Sequence, residues 1–318
     1  MKKNCFLVLF LSLGFLFLRG QETLPAYQQY LLNGNFLFNP AYYGSTDNVV
    51  INGNYQKQFT KFSESPNIQS IGIHANIVDR VGAGASFFRD ENGPISANGI
   101  MVGASYFVPL SDDIHRKDQF SFGAAANFYN MNIDYSKISA QDPNDPLLYD
   151  GTNSTFIAYA NLGMQVTYHN FFAGFSVADI PLSNNAPIIN GIEPTPTKFY
   201  INAGYDWEFS EGISIEPSTF INLNTNSAKL IDLNLMAHVF DEANSFGAGI
   251  SYRIFQDHNG NQQTSISPVI RVEFNRFTFG AAYGFGLSQI ANYGGNSFML
   301  SLGYNFENFI NPRGFRYR

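Results

Sequence analysis

The residues best equipped for chemistry are five histidines, His74, His115, His169, His238 and His258, and a single cysteine, Cys5. No pair of them has HExxH or i,i+4 spacing, so no local zinc or metal signature is present. One cysteine excludes a disulfide framework and a thiolate metal site. No GxSxG elbow occurs, and Gly82-Ala83-Gly84 and Gly284-Phe285-Gly286 alternate within strand-like segments instead of opening a helix as a phosphate loop would. Asp257-His258-Asn259-Gly260-Asn261 loosely resembles a calcium loop but lacks the glycine at its sixth position and the closing glutamate, so it reads as a polar turn. Asp142-Pro143-Asn144-Asp145-Pro146 reads as a loop with proline-fixed bends. His74 and His238 fall on polar faces of alternating segments and are expected to line an interior. A catalytic set gathered from distant strands would leave no local motif, yet nothing here points to one. The expectation is a non-enzyme with no cofactor and no metal.

The elements that carry these residues are strands. Of 318 residues only 14% are charged and 16% are aromatic, where a soluble chain carries roughly 25% charge. A net charge of −7 argues against a nucleic-acid binder, whose phosphate contacts need basic side chains. A two-residue alternation recurs in blocks of about ten, the pattern of a transmembrane β-barrel. In 49–59 one face reads Val49, Ile51, Gly53, Tyr55, Lys57, Phe59 and the other Val50, Asn52, Asn54, Gln56, Gln58. A soluble β-sandwich also alternates, but its wet face carries charge, whereas these polar faces are mostly Gly, Ser, Asn, Gln and Thr. Aromatics gather at strand ends (Phe59, Phe87, Tyr106, Phe128, Tyr168, Trp207, Phe240, Tyr304, Phe306), as interfacial girdles do. Strands are expected near 49–59, 68–78, 80–89, 97–108, 119–131, 155–167, 170–178, 198–209, 213–223, 228–240, 245–255, 265–274, 277–287 and 296–306. The expected fold is therefore all-β, an antiparallel transmembrane barrel of about 14 strands with both termini periplasmic. Short links alternate with long ones such as Asn132–Ser154 and Asp179–Thr197. Pro109–Asp118 and Asn224–Ser227 break that alternation.

Three segments lie outside the barrel, which is assigned to 48–306. Residues 1–20 read as a signal peptide: Lys2 and Lys3 precede an uncharged apolar run, Cys5 to Leu18, too short to span a bilayer. Cys5 opens that run instead of following it, which argues against lipoprotein processing. Loss of Lys2, Lys3 and Arg19 would take the net charge from −7 to −10. Residues 21–47 form an N-terminal periplasmic segment in which Tyr27 to Ser45 bears Leu31, Leu32, Phe36, Phe38, Tyr42 and Tyr43 around an Asn39-Pro40 bend. Such side chains need burial, in the barrel mouth or against a partner. Tyr30, Phe38, Asn39, Pro40, Tyr42, Tyr43 and Gly44 are therefore plug or partner-binding candidates. Residues 307–318 form a basic tail whose Arg313, Arg316 and Arg318 are candidates for a partner contact.

Gln29-Tyr30, Phe38-Asn39-Pro40-Ala41-Tyr42 and Gly44 together resemble the N-terminal "QY…NPAYAG" signature of the PorP/SprF family. The resemblance continues through Phe171-Phe172-Ala173-Gly174-Phe175-Ser176-Val177, Gly247-Ala248-Gly249-Ile250-Ser251-Tyr252-Arg253 and the closing Gly295 to Phe306. Asn296-Ser297-Phe298-Met299 departs from the family's usual residues there, and Ala178-Asp179 replaces its Pro-His pair. The resemblance implies an integral outer-membrane component of the type IX secretion system of Bacteroidetes-type bacteria, without enzymatic activity. It implies a role in export or surface anchoring of a secreted partner, such as the C-terminal domain of a large gliding adhesin. Other secretion components and outer-membrane lipid would be its further partners. The basic tail leans the reading toward SprF-like, partner-dedicated members. The alternative is a passive porin or small-solute transporter using the polar lumen.

Overall fold

The computed structural model describes residues 30–33, 35–61, 64–111, 118–138, 152–182, 196–241, 244–257, 259–288 and 290–312. Its strands are β1 (Asn48–Lys57), β2 (Asn67–Val78), β3 (Val81–Asn92), β4 (Ile95–Pro109) and β5 (Gln119–Asp134). They continue as β6 (Thr152–Tyr168), β7 (Phe171–Pro181), β8 (Lys198–Tyr205), β9 (Trp207–Ser210) and β10 (Ile213–Asn224). The last five are β11 (Lys229–Phe240), β12 (Asn244–Gln256), β13 (Gln262–Phe274), β14 (Phe277–Gly286) and β15 (Ser297–Glu307). Each pairs antiparallel with its neighbour, and β15 returns to β1 with Asn48 opposite Glu307 and Lys57 opposite Phe298. β8 and β9 both pair with β10 and form one stave interrupted at Asp206. The described strands thus build a closed antiparallel barrel of fourteen staves. No described helix is long and apolar enough to cross a membrane.

Alternation decides which way each side chain points. On β2, Ser70 is 7% exposed while its neighbour Ile71 is 55% exposed. The same inversion runs around the wall, with Ile100, Leu162, Leu235, Phe279 and Leu302 outside and Ser86, Asn127, Gln165, Asn202 and Ser251 inside. In water this apolar outer surface would be far larger than a monomer tolerates. In a bilayer it is the lipid face, and closure leaves no unpaired strand edge in hydrocarbon.

At the end where β1 starts and β15 finishes, two-residue turns at Asp79-Arg80, His169-Asn170 and Asn275-Arg276 carry positive φ at Arg80, His169 and Asn275. At His169 and Asn275 the positive φ falls on the first turn residue, as in turns that match the twist of the strands they join. Glu211-Gly212 joins β9 to β10 with its second residue, Gly212, at φ 76°.

Several strand limits differ from those expected. The segment expected as one strand over 198–209 is broken, because the Asp206 N–H turns to the Asn170 carbonyl at 2.9 Å. Phe59 lies beyond β1 at φ 50° and does not join the outward aromatics of the strands. β3 to β6 run further than hydropathy indicated, and Glu307 completes β15 instead of opening the tail. A helical turn at Ile290–Gly294 in the link from β14 to β15 was not expected.

Candidate functional site: a chain segment inside the barrel

Residues 30–45 enter the bore ahead of β1. They form a one-turn helix at Tyr30–Asn33 and two 3-10 turns, Asn35–Leu37 and Pro40–Tyr42. Pro40 stands in the first turn of its helix, where its missing N–H costs nothing, and Asn39 caps that turn by accepting the Ala41 N–H at 3.0 Å.

The wall holds this stretch by both polar and apolar contacts. The Asn39 amide donates to the Met164 carbonyl at 2.9 Å. Ser176 Oγ donates to the Phe38 carbonyl at 2.7 Å, and Ser105 Oγ donates to the Tyr43 carbonyl. The Gly44 N–H donates to His74 Nδ1 at 3.1 Å, which makes His74 a neutral acceptor in a structural latch. Phe36 lies with its ring centroid 4.9 Å from that imidazole. Phe36 and Tyr43 pack on Met101 and Ala125, Phe38 and Tyr30 on Phe220 and Leu230, and Leu32 on Met236, Val269, Ala282 and Met299. Burial of each such side chain contributes about 1.5–3 kcal/mol. Burial also pushes the Tyr30 and Tyr42 phenols above their ordinary range, with Glu216 adding to it, so both stay neutral.

The close fit depends on glycines of the wall. Register aligns Gly82 with Ser105, Ser105 with Gly123, Gly123 with Gly163 and Gly163 with Ser176, one row across β3 to β7. A Cβ on Gly82 would stand 1.8 Å from the Tyr43 carbonyl oxygen, and one on Gly123 would stand 2.2 Å from Pro40. Gly44 itself sits at φ +67° against the Ala75 carbonyl. The sequence displayed these glycines as an alternation but not what they face, because only register brings them into one trough.

Of the sequence candidates, Tyr30, Phe38, Asn39, Pro40, Tyr42, Tyr43 and Gly44 come together in the bore. Arg313, Arg316, Arg318, His115 and His258 lie outside the described residues, as do residues 1–29 and most of the two longest links. The described start of the tail is pinned to β2 by the Asn308 amide, which donates to the Asn76 carbonyl at 2.8 Å. Among the described residues no group of His, Cys, Asp and Glu could hold a metal. Two ion pairs that sequence reading missed brace the inner wall. Arg253 grips Asp232 with two bonds of 2.7 and 2.6 Å, and Lys198 lies 3.4 Å from Asp179. Asp232 and Arg253 are directly opposed on β11 and β12, which only the register reveals.

Among solved structures, the CymD monoaromatic hydrocarbon channel is similar with a TM-score of 0.52 and 13% identity, over 86% of this chain and 92% of that one. A deltaS2 mutant of the TodX monoaromatic hydrocarbon channel gives 0.50 and 12%, over 88% and 95%. At such identities the likeness speaks to the fold alone. No curated protein matches the sequence. The model of the type IX secretion system membrane protein family PorP/SprF matches residues 20–304, nearly the whole chain including the luminal segment. With its lipid-facing barrel, this chain belongs to the PorP/SprF family and is an integral outer-membrane protein of the type IX secretion class.

Proposed function

We propose that the protein is a non-enzymatic component of the type IX secretion system that supports export or surface anchoring of a secreted partner, such as the C-terminal domain of a gliding adhesin. The observation that carries this reading is the segment from Tyr30 to Ser45 lodged across the bore. A passive solute path would need that space, whereas a scaffold that holds a partner at its rim does not. The links from β5 to β6 and from β7 to β8 would face the exterior and supply the holding surface. The two-residue turns, both chain ends and the tail arginines Arg313, Arg316 and Arg318 would face the periplasm. There they would meet other secretion components.

Deletion of the gene is the test. Surface display of one or a few large proteins should be lost, with general secretion and small-solute uptake little changed. Loss of uptake with display intact would instead make the protein a porin or solute transporter.

A further inference from the structure

The two halves of the luminal segment are held very differently. On the side of β2 to β7, residues 38–44 are bonded by Ser105, Ser176, Asn39 and His74 and sunk among glycines. On the side of β8 to β15, the Tyr30–Asn33 turn has long bonds: Asn202 to the Tyr30 hydroxyl and Ser301 to the Leu32 carbonyl, both 3.3 Å. Asn35 also bonds the Tyr30 hydroxyl, and Leu32 packs on Gly280 and a cluster of apolar side chains. A one-turn helix has little stability of its own.

The wall beside that turn is polar and short of protein partners. Register places Ser218 opposite Asn234 and Asn234 opposite Ser251, a row across β10, β11 and β12. These side chains are 9%, 7% and 0% exposed, yet no protein group bonds Ser218 Oγ, either polar atom of Asn234 or Ser251 Oγ. Asn234 stands two residues from Met236 on the same face, and Met236 belongs with Leu32 to one apolar cluster. The corresponding row on the opposite wall, Gly82 to Ser176, spends its hydroxyls on the segment's own carbonyls. Buried polar groups left without partners favour any state that satisfies them.

We propose that the luminal segment is a two-part closure in which Asn39–Gly44 is fixed and the Tyr30–Asn33 turn is a releasable gate. When the turn lifts, Ser218, Asn234 and Ser251 take up water and the bore opens along β10 to β12, while the opposite half stays filled. The gate needs no knowledge of the partner and does not depend on the secretory role proposed above.

Hydrogen exchange on the full barrel in lipid tests it. Amides of Tyr30–Asn33 should exchange about tenfold or more faster than those of Ala41–Gly44, through local opening without loss of the barrel. Replacing the stranded groups by Asn234→Leu or, more gently, Ser251→Ala should slow exchange of the turn and leave 41–44 unchanged. Ser105→Ala should do the reverse, speeding 41–44 alone. Variants are read only in the fraction with folded-barrel gel migration, so a misfolded variant cannot imitate the effect. Equal protection of both halves would overturn the proposal, as would a turn whose exchange ignores both Asn234→Leu and Ser251→Ala.

Discussion

Single atoms decide whether residues 38–44 can stay in the bore. A valine at Gly82 or Gly123 would drive its Cβ into the Tyr43 carbonyl or Pro40 backbone. Gly82→Val and Gly123→Val should therefore displace the segment and raise conductance in planar bilayers. Gly53→Val is the control, because the nearest atoms to its added carbon are 3.8 Å away; it should conduct as the parent does. Asn39→Ala removes the cap on Ala41 and the bond to the Met164 carbonyl. Losing such a pair costs about 1–2 kcal/mol each, read as faster exchange of the 41–44 amides with the barrel intact. Sequence alone marked Asn39-Pro40 as a bend and the aromatics around it as groups needing burial. It did not reveal His74 as the acceptor for Gly44, since the two meet only once β2 lies beside the segment.

At the scale of elements, the segment from Tyr27 to Ser45 is the piece whose removal should matter most. A barrel lacking residues 27–45 should insert and conduct more than the full chain in planar bilayers. Equal conductance would mean that the segment docks a periplasmic partner without sealing the bore. The strands themselves were legible because period-two hydropathy and turn residues agree over each block, as on β2 and β11. What escaped was non-local. The Asp206 break depends on the Asn170 carbonyl of a neighbouring turn. The extra length of β5 and β6 depends on their pairing with each other, from Gln119 opposite Thr167 to Asp134 opposite Thr152. The rows Gly82–Ser176 and Ser218–Ser251 likewise exist only as products of register.

For the whole molecule, closure implies resistance to detergent. The protein should fractionate with outer membranes and migrate differently on a gel before and after boiling, as closed barrels do. Recovery as a soluble periplasmic monomer would refute the outward apolar band as a lipid face.

The pairing of β1 with β15 also sets an order of events during assembly. The last strand synthesised must find the first, and the stretch that ends encircled by the wall lies immediately ahead of β1. Residues 30–45 must therefore be laid against β2 to β8 before the seam between β15 and β1 is made, or be threaded in afterwards through a finished ring. The first route lets the glycine trough of β3 to β7 recruit the stretch while the sheet is still an open curl. Contacts of such long sequence separation make for slow maturation. A chain that stopped short of β15 would expose the edges of β1 and β14 together, two strands ready to pair with the wrong neighbour.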